Sequence, residues 1–296
     1  MYIPALQSLR FLLILLIVAS HLSIIRLPQF DAGGDCGVAF FFMLSGLVTW
    51  FSRHKQVEDG TFRTKEFVRQ RISKLLWLHL GTWAFANLLA HSGEYFLHSL
   101  PALFLVQSWV PKSAIYIGGN PVSWFLSDLL LAWLLFPLLC RIVKHRWTIP
   151  AIVIAYFIGL GLIPSEYEEK SLYFLYFWPP VRLVDFLLGM ALGKVLTDTN
   201  ETGQTATRFH NILGIIGIAG IVAGLVFYAD IHPLLRNACF FWPFLLILLY
   251  AVCRNATRLR FLQSKPLVAL GQWTLIIFMT HLLALKVIRI GLDLWF

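Results

Sequence analysis

Long apolar runs alternate with short polar connections from one end of the chain to the other. A helix that crosses a bilayer needs about 20 mostly apolar residues. The pattern predicts such helices over 4–26, 37–52, 74–92, 122–142, 147–164, 177–196, 211–229, 234–253 and 267–287. A shorter run, 95–110, contains His98 and Pro101, and its length suits a re-entrant or interfacial helix as well as a span. In hydrocarbon each segment must satisfy its own backbone groups, so the expected fold is an all-α transmembrane bundle. It would have nine to ten spans and form a single domain over 1–296. The first run carries Arg10 and lacks a basic region before it, so it reads as a retained span and not a cleaved signal. The closing Trp295-Phe296 suits an interfacial aromatic belt.

Composition agrees with that pattern. The 296 residues are 58% hydrophobic and 13% charged, against about 45–50% and about 25% in soluble domains. A soluble enzyme and a disordered chain are both excluded. The net charge of +9 collects in three places: Arg53 to Lys74, then Arg141, Lys144 and Arg146, then Arg254, Arg258, Arg260 and Lys265. Opposite connections hold Asp31 and Asp35, or Glu166, Glu168 and Glu169. The positive-inside rule then makes the N-terminus and the basic clusters cytoplasmic, provided 95–110 does not cross. If it does cross, both termini lie inside. Either way the basic charge is loop charge and not a nucleic-acid surface. The sequons at Asn200 and Asn255 fall on the cytoplasmic side and read as incidental. The four cysteines, Cys36, Cys140, Cys239 and Cys253, show no C-x-x-C spacing and read as small packing residues. No His or Cys pair has ligand spacing, so no metal is expected.

Ionisable side chains inside spans cost about 2.5–3.5 kcal/mol each on insertion scales and are functional candidates by default. The first run carries Arg10 and His21, eleven residues apart. At 100° per residue they share one helix face, about 16–17 Å apart along the axis. Arg10 suits phosphate or carbonyl binding, and a neutral histidine suits general base work. Further polar points are Ser45-Gly46, Asp128 after Ser123-Trp124, the i,i+3 pair Arg182 and Asp185, and His281. Arg182 and Asp185 also suit simple mutual neutralisation. His281 reads as a packed histidine.

These residues together resemble a known family, the acyltransferase 3 family of integral membrane acyltransferases, over nearly the whole chain. Arg10 through His21 resembles its Arg-x10-His signature. Gly37-Val38-Ala39-Phe40-Phe41-Phe42-Met43-Leu44-Ser45-Gly46 is similar to its second motif, with Ala39 where an Asp is common. Residues 66–77 resemble the basic stretch opening its third helix, with Arg71-x-x-Lys74 in place of Arg-x-x-Arg. Pro121 to Pro137, Arg182 to Met190 and Gly271 to His281 resemble three later segments.

The resemblance implies transfer of an acyl group, usually acetyl, from a cytoplasmic acyl-coenzyme A to hydroxyls of surface polysaccharides or lipid-linked glycans. Arg10 and His21 are then the catalytic pair. His21 takes the acceptor proton at Nε2 or Nδ1, and Asp31 or Asp35 is a candidate to fix its tautomer. Arg69, Arg71, Lys74 and Arg182 are the candidates to hold acetyl-CoA. Asp35, Ser45, Trp124 and Asp128 are the candidates on the substrate side, with Ser45 or a backbone N–H beside Gly46 facing the developing oxyanion. An acetylated His21 or Cys36 intermediate is the ping-pong alternative. The rival classes are a lipid-linked-sugar transporter or flippase, and a glycosyltransferase. No internal repeat or acidic metal cluster favours either. The family places the protein in a bacterial inner membrane; the acceptor, the acyl length and the oligomeric state are not written in the sequence.

Overall fold

A computed structural model describes residues 3–145, 147–162, 172–199, 204–255 and 260–295. The two sequons, in whole or part, Arg146, Arg258, the run Glu166 to Glu169 and Phe296 lie outside them. Among the described residues the regular structure is helical, with no strand. The helices are α1 (Pro4–Ala19), α2 (Gly34–Glu58), α3 (Thr64–Ala90), α4 (Gly93–Leu103), α5 (Ser113–Tyr116), α6 (Trp124–Lys144) and α7 (Thr148–Gly161). They continue as α8 (Pro179–Asp198), α9 (Gln204–Val226), α10 (Pro233–Ala238), α11 (Trp242–Asn255), α12 (Lys265–Gln272) and α13 (Thr274–Trp295).

Among the described residues five segments are long and apolar enough to cross a membrane: Gly34–Glu58, Trp124–Lys144, Thr207–Val226, Pro233–Arg254 and Thr274–Leu294. Pro4–Ala19 and Thr148–Gly161 are apolar but shorter, so the expected count of nine to ten spans is not confirmed. Two long helices fall short for a physical reason. α8 carries Arg182, Asp185 and Lys194, and α3 carries Lys74, His79 and Asn87. Hydropathy counts such groups as exposed to lipid, although α8 faces the interior. The 95–110 run is the eleven-residue α4 followed by a turn and a 3-10 helix at Gln107–Trp109. At 1.5 Å per residue α4 spans only about 16 Å, too short to cross alone.

The tightest helix pair is α2 against α8. Gly46 lies on the backbone of Phe186 and Met190, and Gly189 lies on the backbone of Met43. A Cβ at either glycine would land on the partner's carbonyl oxygen, so the contact exists because these two positions have no side chain. Small residues permit this backbone approach where helices pack in lipid. Gly46→Ala is expected to destabilise the protein by about 1–3 kcal/mol, as overpacking does. The midpoint of thermal unfolding in detergent checks it, and an unchanged midpoint would contradict the tight α2–α8 contact.

Ion pairs mark the two ends of the bundle. Lys144 meets Glu58 at 3.2 Å where α2 and α6 end. At the other end Arg26, beyond α1, meets Asp293 of α13 at 2.9 Å.

Candidate active site

His21 stands beyond α1, not on it. The helix ends at Ala19, where the Ser20 N–H donates to Leu16 O at 2.9 Å. The Ser20 hydroxyl turns back onto Ile17 O, also at 2.9 Å. A side chain that bonds its own backbone in this way competes with helix continuation. A 3-10 turn over Leu22–Ile25 follows, and Arg26 closes it at φ 66°. The expected continuous helix to residue 26 is therefore corrected.

The imidazole is held by the same turn. His21 Nδ1 lies 2.7 Å from Ile17 O. A carbonyl only accepts, so Nδ1 carries the hydrogen and Nε2 is left as the basic lone pair of the neutral ring. Ile17, and not Asp31 or Asp35, fixes the tautomer. Asp31 is exposed. Asp35 is buried at the start of α2, where one oxygen accepts from the Cys36 N–H at 2.9 Å and from the Tyr228 hydroxyl at 3.3 Å.

Arg10 and His21 line two different cavities, which share Phe278 as a wall residue. The first, about 300 Å³, is walled by Arg10 of α1, Ser45 of α2, Arg71 and Lys74 of α3, Trp133 of α6, and Gln272, Thr274 and Phe278 near the start of α13. Three cations face it and no carboxylate does. The Arg10 Nη1 donates to Gln7 at 3.2 Å, while its buried Nε has no partner among the described residues. The Arg71 guanidinium lies over Phe67 and Trp133, at 5.2 and 5.8 Å from the ring centres. Such stacking holds a guanidinium in place while leaving its edge donors free.

The second cavity, about 360 Å³, is walled by His21, Val38, Trp124, Tyr176, Phe177, Leu282 and Lys286, and again by Phe278. Phe278 thus parts the cation-lined cavity from the histidine-lined one. Its ring is braced edge-on by Phe125 at 5.2 Å. A roomier cavity, about 700 Å³, opens between α1, α9 and α11, but its wall is apolar apart from His210 and Asn211.

The structure gathers only part of the sequence-based set. Arg10, Arg71, Lys74 and Ser45 share the first cavity, and His21 and Trp124 share the second. Arg69 is two residues from Arg71, on the other side of α3, where it is exposed and bonded to Glu66 at 3.0 Å. That bond holds the Glu66 carboxyl below its ordinary range. The backbone N–H beside Gly46 is not a free donor, because it lies inside the unbroken helix α2.

Arg182 and Asp128 line neither cavity. The guanidinium of Arg182 is spent on Asp185 at 2.6 Å and on the carbonyls of Tyr176, Leu175 and Asn237 at 2.8, 3.0 and 3.0 Å. Asp128 accepts from the Ser108 hydroxyl at 2.7 Å in a buried cluster that also ties Tyr173 to Ser108. Both residues brace the scaffold around Trp124 and Tyr176.

Other wall residues were not singled out from the sequence. Lys286 was visible by the rule that picked Arg10, as a cation in an apolar run. Phe278, Trp133, Gln272 and Thr274 carry no such signal, since only helix packing decides which apolar or neutral positions face the cavities. The four cysteines are free thiols. Among the described residues no group of three His, Cys, Asp or Glu side chains is placed to hold a metal ion.

Known proteins carry the same layout of sequence. The acyltransferase 3 family model, described as an acyltransferase domain, matches residues 3–296. Acyltransferase MdmB of Streptomyces mycarofaciens is 27% identical over 324 residues, which cover 96% of this chain and 79% of that protein. O-acetyltransferase OatA of Staphylococcus aureus (strain NCTC 8325 / PS 47) is 25% identical over 305 residues, 95% of this chain and 50% of its own length. The chain therefore spans about half the length of that staphylococcal relative. No solved structure matches the chain. A match that runs over nearly every residue, on a multi-helix chain with several spans, means that the chain belongs to the acyltransferase 3 family.

Proposed function

We propose that the protein is an O-acyltransferase of a bacterial inner membrane. It moves an acetyl group from cytoplasmic acetyl-coenzyme A to a hydroxyl of a surface polysaccharide or lipid-linked glycan. The observation that carries this reading is the pair of cavities meeting at Phe278, one lined by three cations without an acid, the other by His21 with its Nε2 free. The names of the relatives, an acyltransferase and an O-acetyltransferase, support the acyl group and the oxygen acceptor. The basic connections support a cytoplasmic N-terminus.

Each wall residue then has a task. Arg71 and Lys74, three apart on one face of α3, hold the phosphates of the donor at the mouth. Arg10 holds the donor deeper, through its buried Nε, which has no partner among the described residues. Trp124 presents its ring to the acceptor sugar. The Nε2 of His21 takes the hydroxyl proton, the oxygen attacks the thioester carbon, and the Ser45 hydroxyl faces the charge that develops on the carbonyl oxygen. Arg182, Asp128 and Asp35 serve the scaffold, and Arg69 stays at the surface.

The test is a titration of purified protein with acetyl-coenzyme A. A hydrogen bond to a charged group contributes about 1.5–3 kcal/mol. Arg10→Ala and Arg71→Ala are each expected to weaken binding by about 10–100-fold. Arg69→Ala is expected to leave the affinity unchanged. A folded wild type that binds no acetyl-coenzyme A would overturn the proposal and return the transporter reading.

A further inference from the structure

Beside His21 lies a second imidazole, on α13. His281 lies on α13 three residues beyond Phe278 and is only 6% exposed. Its ring meets the ring of His21 edge-on, with centroids 5.2 Å apart. It also lies 6.1 Å from the ring of Phe278. His281 thus neighbours the rings of both His21 and Phe278.

Both imidazoles are held by one device. His281 Nδ1 lies 2.8 Å from Phe278 O and 3.3 Å from Ile277 O. These carbonyls only accept, so the hydrogen of the neutral ring sits on Nδ1, as in His21. The Nε2 of His281 is buried and has no hydrogen-bond partner among the described residues. A buried acceptor left unsatisfied costs about 1–3 kcal/mol. Packing alone gives no reason for it, because a phenylalanine or leucine would fill the same space without that cost. The groups around the pair give this nitrogen no other use. The Ser20 hydroxyl is spent on Ile17 O. Lys286 lines the adjoining cavity, and among the described residues no carboxylate pairs with either imidazole.

We infer that His281 is a second proton-carrying residue, which moves the acceptor's proton from His21 to the sulfur of the departing thiol. This rests on the acyltransfer reading above and adds a step to it. The acceptor O–H bond breaks and its proton goes to His21 Nε2. The oxygen bonds to the thioester carbon, the carbon–sulfur bond breaks, and its electron pair stays on sulfur. The proton passes from His21 Nε2 to His281 Nε2 and on to the thiolate, which leaves as a thiol. Both rings finish neutral with their Nδ1 hydrogens in place.

The experiment measures labelled acetyl transferred from acetyl-coenzyme A to the glycan of native membranes that express each variant in place of the chromosomal copy. His281→Gln keeps a donor for the Phe278 carbonyl but cannot carry a proton. It is expected to lower kcat by about 100-fold or more, the low end of general acid–base effects, with the KM for acetyl-coenzyme A unchanged. His281→Ala is expected to fall as far and to recover when millimolar imidazole enters the space left behind, whereas His281→Gln does not recover. Wild-type transfer with His281→Gln within threefold of it overturns the relay and leaves the acyltransfer reading standing. So does a folded His281→Ala that imidazole does not restore. Wild-type membranes that transfer no acetyl overturn the acyltransfer reading itself.

Discussion

His21→Ala is expected to lower acetyl transfer by about 10²–10⁴-fold, the range for a lost general base. Binding of acetyl-coenzyme A is expected to stay at the wild-type level, because the donor's contacts lie in the other cavity, at Arg10, Arg71 and Lys74. The fold is expected to survive for a local reason. His21 is partly exposed, and the Ile17 carbonyl it occupies is also bonded by the Ser20 hydroxyl at 2.9 Å. His21→Gln separates the two jobs of the ring, since an amide can hold the Ile17 carbonyl but cannot accept a proton at pH 7. It should be as inactive as the alanine variant. The measurement is the rate of acetyl transfer alongside donor affinity and the gel-filtration profile. Transfer at the wild-type rate in either variant would remove His21 from the chemistry.

The largest expected effect on stability lies away from these two cavities, at Asp185. Its carboxylate holds Arg182 at 2.6 Å and also accepts from the Trp242 indole N–H. Arg182 is 2% exposed, so Asp185→Ala would leave a buried guanidinium without its counter-ion. Breaking a buried pair from one side destabilises by about 3–5 kcal/mol. The orphaned indole of Trp242 adds to that loss. Unfolding in detergent, followed by tryptophan fluorescence, reads the change. Removing both charges together, as Arg182→Met with Asp185→Leu, should recover most of it, since a well-packed apolar pair can match a buried ion pair. A single variant as stable as wild type would show that the pair contributes little to the fold. If Arg182 bound the donor directly, the double variant would lose donor affinity, whereas a scaffold role predicts that affinity is kept.

Apolar patterning and a few charges determined a good deal of this protein. The runs of the sequence became helices, and the cost of charge in hydrocarbon singled out Arg10 and His21, which each line a cavity. Arg71 and Lys74 read by charge alone as part of a loop cluster, and only the resemblance of residues 66–77 to the family's basic stretch brought them in as candidates. Arg69 was not separable from them by residue type; a rotation of two residues around α3 sends it to Glu66 and the surface.

What only the tertiary structure decided concerns contacts between segments far apart in the chain. The sequence shows Arg182 and Asp185 as ionisable groups in an apolar run, the same signal as Arg10. The carbonyls of Leu175, Tyr176 and Asn237 turn that pair into a closed clamp. Nothing local shows that Gly46 and Gly189 answer each other, because each is a lone glycine until α2 and α8 meet. The tautomer of His21 depends on a carbonyl exposed only where α1 stops. The nearness of His21 to His281, 260 positions later in the chain, follows from α1 packing against α13. Hydrophobicity and helical period act over a few residues and survive in any arrangement of the helices. Partnership between polar groups depends on which faces pack together, and that is settled only when the bundle closes.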